Sequence, residues 1–262
     1  MYKLRDIIIN KLKTNIEILF IPYKVSMWDS FHSIWEYAMK DPDCNCTVMP
    51  ITYYELNSKR EVEKVVYEGD KFDENIKIPH YSEYNIEKIQ PDVIYIHSPY
   101  DGYNKLTLID PKYFSENLKK YTNMLVYLPY FIAGSYKSIG TETMTYTCPG
   151  YKNADKIVAQ SYVQGDVLKS IGYSDEKILR LGSPKIDFVV NNLKNKHTHP
   201  KIDGKKKVIL LSTGINDLLA IPDWIDNLID LIKIHHFTIK LTDFVLRSKV
   251  INSILYSHNI FY

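Results

Sequence analysis

The stretch IEILFIPYKVSMWDSFHSIWEYAMK, Ile16 to Lys40, decides the fold. Ile16 to Ile21 is a short apolar run rich in β-branched and aromatic residues, the composition of a buried strand. From Ser26 the spacing changes: Phe31, Ile34, Trp35, Ala38 and Met39 recur at the period of a helix. Ser26 stands three residues before Asp29, a capping-box variant that predicts a helix start there. Strand, short loop and helix make one unit. In sheets built from such units the loop after the strand's carboxyl end faces the ligand crevice. Lys24, Met27, Trp28 and Asp29 are therefore the first candidates for function.

Downstream the unit recurs. Asp41-Pro42-Asp43 breaks the helix, and Cys46 to Tyr54 reads as a second strand, with Pro50 favouring an edge position or a bulge. Residues 57–90 read as loop, a short strand around Val65, and a helix near Asn85 to Gln90. Val93 to His97 is a strong strand leading into a turn-rich loop. Asp110-Pro111 is an N-cap and N1 pair. Met124 to Phe131 and Lys156 to Gln160 are further strands, separated by a Gly/Ser/Thr-rich loop over 133–147. Ser161 caps a helix closed by Gly172, and Lys177 to Leu181 is a last strand before Gly182-Ser183-Pro184-Lys185. Strands alternating with helices imply right-handed crossovers and a parallel sheet, so the expected fold is a Rossmann-like α/β domain over 1–192. Lysine-rich 193–206 reads as a linker. Residues 207–262, with a helix marked by Trp224, Leu228 and Ile232, read as an incomplete second α/β domain.

Composition bounds the function. The chain has 262 residues and a net charge of +2, which gives no reason to expect nucleic acid as a partner. Three cysteines without CxxC spacing fit a reducing, cytoplasmic setting. No apolar run reaches the roughly 20 residues of a membrane span. Met1 to Thr14 is basic and amphipathic; it suits a helix packed on the domain, with peripheral membrane contact as the other reading. The 22 tyrosines, many at the ends of apolar runs, suit crevice walls where a ring packs and a hydroxyl stays wet.

No GxGxxG, GxxxxGK[ST], GxSxG or HExxH is present, so the sequence predicts no bound cofactor. His197-x-His199, His235-His236 and Cys44-x-Cys46 lack a partner set at ligand spacing, so no metal is expected. The remaining chemistry lies in loops that a parallel sheet would bring to one edge: Lys24 to Asp29, His97 to Asn104, Pro129-Tyr130 and Gly182 to Asp187. Cations, a histidine, carboxylates and aromatic walls suit a phosphorylated or polyhydroxyl ligand. His97 is a candidate general base, against the commoner role of a strand-end histidine bonded to backbone. Lys24 and Lys185 are candidates for phosphate, although solvated lysine is the usual outcome. Asp29 and Asp187 could serve only as caps.

The segments IPYKVSMWDS, PITYY, PDVIYIHSPYDGYN, LVYLPYF, ADKIVAQS and LGSPKID, in this order, resemble the N-terminal domain of the CDP-glycerol glycerophosphotransferase family. The similarity is greatest to the bacterial branch with an MWDS-type segment and an HNPYD-type loop, here with Ser98 in place of the Asn. The resemblance covers roughly Ile16 to Thr213. It implies a two-domain GT-B fold with an acceptor-side first domain, and transfer of glycerol phosphate from CDP-glycerol to a teichoic-acid-type polymer. It also implies work at the inner membrane face without an essential metal. On that basis His97 or Asp29 is the acceptor-side base, with Lys24 and Lys185 near phosphate and Trp28 and Tyr100 as walls. Met27, Asp101, Asn104, Tyr130 and Ser183 complete the expected substrate site, for CDP-glycerol and a polyol-phosphate or glycan acceptor. The family's Arg-Pro-His-Pro strand end has no counterpart near Leu241-Thr242-Asp243. A non-catalytic GT-B half that binds an acceptor, or a partner chain completing the fold, is therefore the competing expectation. An unrelated flavodoxin-like or periplasmic-type binding domain is a third.

Overall fold

A computed structural model describes residues 15–132 and 146–194, all within one compact unit, Met1–Asn195. Its centre is a six-stranded parallel sheet of β1 (Ile16–Ile21), β2 (Cys44–Val48), β5 (Val93–Ile96), β7 (Met124–Tyr127), β8 (Lys156–Ala159) and β9 (Ile178–Arg180). Their order across the sheet is β2-β1-β5-β7-β8-β9. Alternate residues of β1 serve different faces. Leu19 and Ile21 join Ile94, Ile96, Leu125, Tyr127 and Ile157 in one core. Phe20 joins Val48, Val126 and Val158 in the other. Burial on both faces is why these strands read as unbroken apolar runs rather than alternating ones.

On either side of β5 in the sequence the chain contributes strands to a second sheet that the expectation of a purely parallel sheet missed. Strands β3 (Tyr53–Leu56), β4 (Val62–Val66) and β6 (Thr107–Ile109) form an antiparallel sheet in the order β4-β3-β6. The single strand expected over Cys46 to Tyr54 is therefore two strands in two sheets. The intervening backbone is held to the end of β1, Met49 N donating to Phe20 O at 2.9 Å and Ile51 N to Pro22 O at 3.0 Å. Strand β2 is nevertheless an edge strand, as Pro50 suggested.

The helices are α1 (His32–Ala38), α2 (Ile86–Ile89), α3 (Ser115–Leu118), α4 (Pro149–Asn153), α5 (Tyr162–Ser170) and α6 (Pro184–Lys194). The expected capping box does not form. Val25–Ser30 is a 3₁₀ turn with Lys24 at its N-cap and no side-chain cap bond, and α1 begins only at His32. Asp29 turns away to a partner elsewhere in the chain. Other caps follow the sequence: Asp110 Oδ1 accepts from Lys112 N, Asn85 from Lys88 N, and Ser161 Oγ from Gln164 N. Gly172, with φ +105°, takes the left-handed position after α5. The N-terminal amphipathic segment, residues 133–145 of the Gly/Ser/Thr-rich loop, the linker from 195 onward, the 207–262 domain and the four paired histidines lie outside the described residues.

Candidate functional site

After β1 the chain crosses to β2 on one side, and later returns as β5 on the other. The order reverses between β1 and β5, where sheets of this kind bind ligands. The loops leaving β1, β5 and β7 meet there around His97, the residue that follows β5. Its ring is fully buried, stacked on Phe31 with centroids 4.8 Å apart and 7° between planes. It meets Tyr23 edge-on at 5.3 Å and Tyr130 at 6.1 Å. Tyr23 N donates to Nε2 at 3.4 Å, and Nδ1 lies 3.4 Å from Ser30 Oγ. Burial drives the imidazole pKa down to about 3, opposed by a hydrogen bond to the Met27 backbone and assisted by the Lys185 ammonium.

The loop after β9 reaches the same place. Lys185 Nζ forms an ion pair with Asp29 Oδ2, joining residues 156 positions apart, with side chains 24% and 21% exposed. The other carboxylate oxygen, Asp29 Oδ1, is buried and has no hydrogen-bond partner, and the same is true of Ser183 Oγ and Trp28 Nε1. Buried polar atoms are nearly always paired, so each is a position that a ligand or water would complete.

The other predicted residues divide by how the fold uses them. Tyr100 and Tyr130 stay partly exposed, and the Tyr100 hydroxyl donates to that of Tyr130; burial raises both phenols. Lys24 Nζ sits 4.9 Å from the Tyr53 ring centroid and 5.8 Å from that of Tyr23. Met27 contributes its carbonyl, which accepts from Ser30 Oγ at 2.7 Å. Trp28, expected as a crevice wall, is 7% exposed and packs among Phe20, Phe31, Trp35 and Phe72. Asp101 is buried in the left-handed region at φ +46°, its carboxylate accepting from Ser115 N and, at 2.6 Å, from Ser115 Oγ. Burial raises its carboxyl and the Ser115 bonds oppose the rise. Asn104 Oδ1 closes its own turn onto Leu106 N and Thr107 N.

Two supporting residues carried no sequence signal. Glu68 accepts from Val25 N at 2.8 Å and from Tyr53 OH at 3.3 Å, tying the β1 loop to the antiparallel sheet. Gly150 N donates to Pro99 O at 2.8 Å, bringing α4 against the His97–Asn104 loop. Among the described residues, no group of three His, Cys, Asp or Glu could hold a metal ion, and no helix is long and apolar enough to cross a membrane.

The chain has no significant match among family models or curated protein sequences. Solved structures do resemble it. A Listeria monocytogenes protein provisionally assigned as a UDP-N-acetylglucosamine 2-epimerase gives a TM-score of 0.59 at 13% identity, over 95% of this chain and 67% of that one. S. aureus MnaA, solved with UDP, gives 0.59 at 12% over 94% and 66%. The Neisseria meningitidis UDP-GlcNAc 2-epimerase bound to UDP-GlcNAc gives 0.55 at 14% over 92% and 70%. This chain thus spans about two thirds of the length of these proteins. At such identities the likeness carries the fold alone. It is the GT-B type, with a Rossmann-like first domain and room for part of a second.

Proposed function

We propose that this domain is the acceptor side of a GT-B transferase of the glycerophosphotransferase type, moving glycerol phosphate from CDP-glycerol to a hydroxyl of a surface-polymer acceptor. One observation carries the reading: at the β1/β5 switch point a carboxylate oxygen, Asp29 Oδ1, is left without a partner while its sister oxygen is held by Lys185. A carboxylate so placed can accept the proton of an acceptor hydroxyl as that oxygen attacks the β-phosphorus of CDP-glycerol. A new P–O bond forms, the bond from the β-phosphorus to the bridging oxygen breaks, and CMP leaves with the electron pair. Lys185 stands beside the reacting phosphate, where a fixed cation stabilises developing charge. Tyr100 and Tyr130 give the acceptor an aromatic wall with hydroxyls, and Lys24 supplies a second cation at the edge. The resemblance of the motifs between Ile16 and Thr213 to the CDP-glycerol glycerophosphotransferase family supports the choice of donor. The likeness to proteins solved with UDP or UDP-GlcNAc supports a nucleotide-activated substrate.

The test is transfer of glycerol phosphate from CDP-glycerol to a polyol-phosphate acceptor, followed by mass. Asp29→Asn is expected to lower kcat by about 10²–10⁴-fold with an unchanged thermal midpoint. A folded chain that binds UDP-GlcNAc but not CDP-glycerol in calorimetry would refute the reading and favour use of the fold as in the epimerases.

A further inference from the structure

Both ends of the Tyr23–Ser30 turn meet one ring, that of His97, which follows β5. A backbone N–H can only donate, so the contact from Tyr23 N requires a bare Nε2. Ser30 Oγ gives its own hydrogen to Met27 O, so towards Nδ1 it can only accept. The two demands agree on one neutral tautomer, with the proton on Nδ1. They also tie both ends of the turn, Tyr23 and Ser30, to opposite sides of the same imidazole. Phe31, just past the turn, stacks on its face. Asp29 lies inside this clamped segment, between the Met27 carbonyl and Ser30. A general base must present a bare nitrogen to substrate, whereas here the bare nitrogen faces a backbone amide inside a fully buried ring.

We infer that His97 is a positioning residue: through its two ring nitrogens it fixes the Tyr23–Ser30 turn and so places Asp29 for the reaction proposed above. The role in catalysis rests on that reading; the clamp itself does not.

The experiment combines side-chain ¹⁵N–¹H NMR of the full chain, amide hydrogen exchange across Tyr23–Ser30, and steady-state kinetics. His97→Gln assigns the ring signal. In the wild type the ring is expected to stay neutral, with its proton on Nδ1, from about pH 5 to 8 and in the presence of CDP-glycerol. A glutamine amide offers one acceptor and one donor at a spacing close to that of the ring nitrogens. His97→Gln should therefore keep turn exchange within about threefold and kcat within about tenfold of wild type. His97→Ala should speed exchange in the turn by about tenfold or more and lower kcat with little change in KM. A ring that takes up a proton near neutral pH would overturn the inference. So would a His97→Gln protein that loses transfer as fully as Asp29→Asn while its turn amides stay protected. If the wild type shows no transfer at all, the proposed reaction fails, and the tautomer and exchange readings still decide the clamp. Should His97→Ala not fold, the wild-type spectrum and His97→Gln remain decisive.

Discussion

Lowering the pH should destabilise this domain through His97 before any carboxylate is involved. Folded, its pKa is about 3; the ordinary value, taken for the unfolded chain, is 6.5. Between these values the unfolded chain binds a proton that the folded chain refuses, so stability rises with pH across the window. The contribution is complete above pH 6.5 and is lost as the pH falls toward 3. At pH 5 the unfolded-state gain is RT ln(1 + 10^1.5), about 2 kcal/mol, which at a urea slope of about 2 kcal/mol/M moves the midpoint by about 1 M. Glu36 and Asp175, lowered by their lysine partners, lose their contribution only below the ordinary carboxylate range. Asp101, raised by burial, acts with the opposite sign and offsets part of the loss near the bottom of the window. The assay is urea unfolding of wild type and His97→Gln at pH 7.5 and pH 5. Wild type should lose about 2 kcal/mol more than the variant between the two. Equal losses in both proteins would refute the buried, neutral His97.

Two substitutions test how the His97–Asn104 loop is held. Gly150→Ala would place a Cβ 2.6 Å from Pro99 Cα and 3.1 Å from Pro99 O, backbone atoms that cannot rotate away. A change that usually favours a helix should here cost about 1–3 kcal/mol in urea unfolding. Ser115→Ala removes the hydroxyl that donates to Asp101 and accepts from Asn153 Nδ2 at 2.9 Å. The buried carboxylate then loses a short bond, and a fall of about 1–3 kcal/mol in unfolding free energy is expected.

The parallel sheet was legible because burial on both faces leaves an unmistakable apolar run. Ile16 to Ile21 has the same bounds in sequence and structure, and the strands at 93, 124, 156 and 178 begin within a residue of expectation. Pairing across sheets was not legible. Periodicity records how a side chain is buried, not which neighbour its backbone bonds, so nothing in CTVMPITYY showed that Val48 ends one sheet and Tyr53 starts another. Three residues are too few for a period, and β6 passed unread. The capping box failed for a similar reason. Local spacing assigned Asp29 to Ser26's turn, but its partner is Lys185.

Within the crevice, residue type pointed to loops that the fold does bring together and left the roles mixed, because role depends on whether a polar atom is already used. Glu68, Asp101, Asn104 and His97 all have hydrogen-bond groups that a substrate could recognise. Yet each spends them on the backbone or a neighbouring side chain of its own chain. Removing any of them should act first on the shape of the site. Asp29 Oδ1 and Ser183 Oγ are different, since both are buried without partners. An unpaired buried polar atom costs about 1–3 kcal/mol unless water or a ligand completes it. Where the cost is borne, a hydroxyl or phosphate of the substrate can relieve it. On the proposed reading the chemistry lies at Asp29 and Lys185, with His97 as the support behind them.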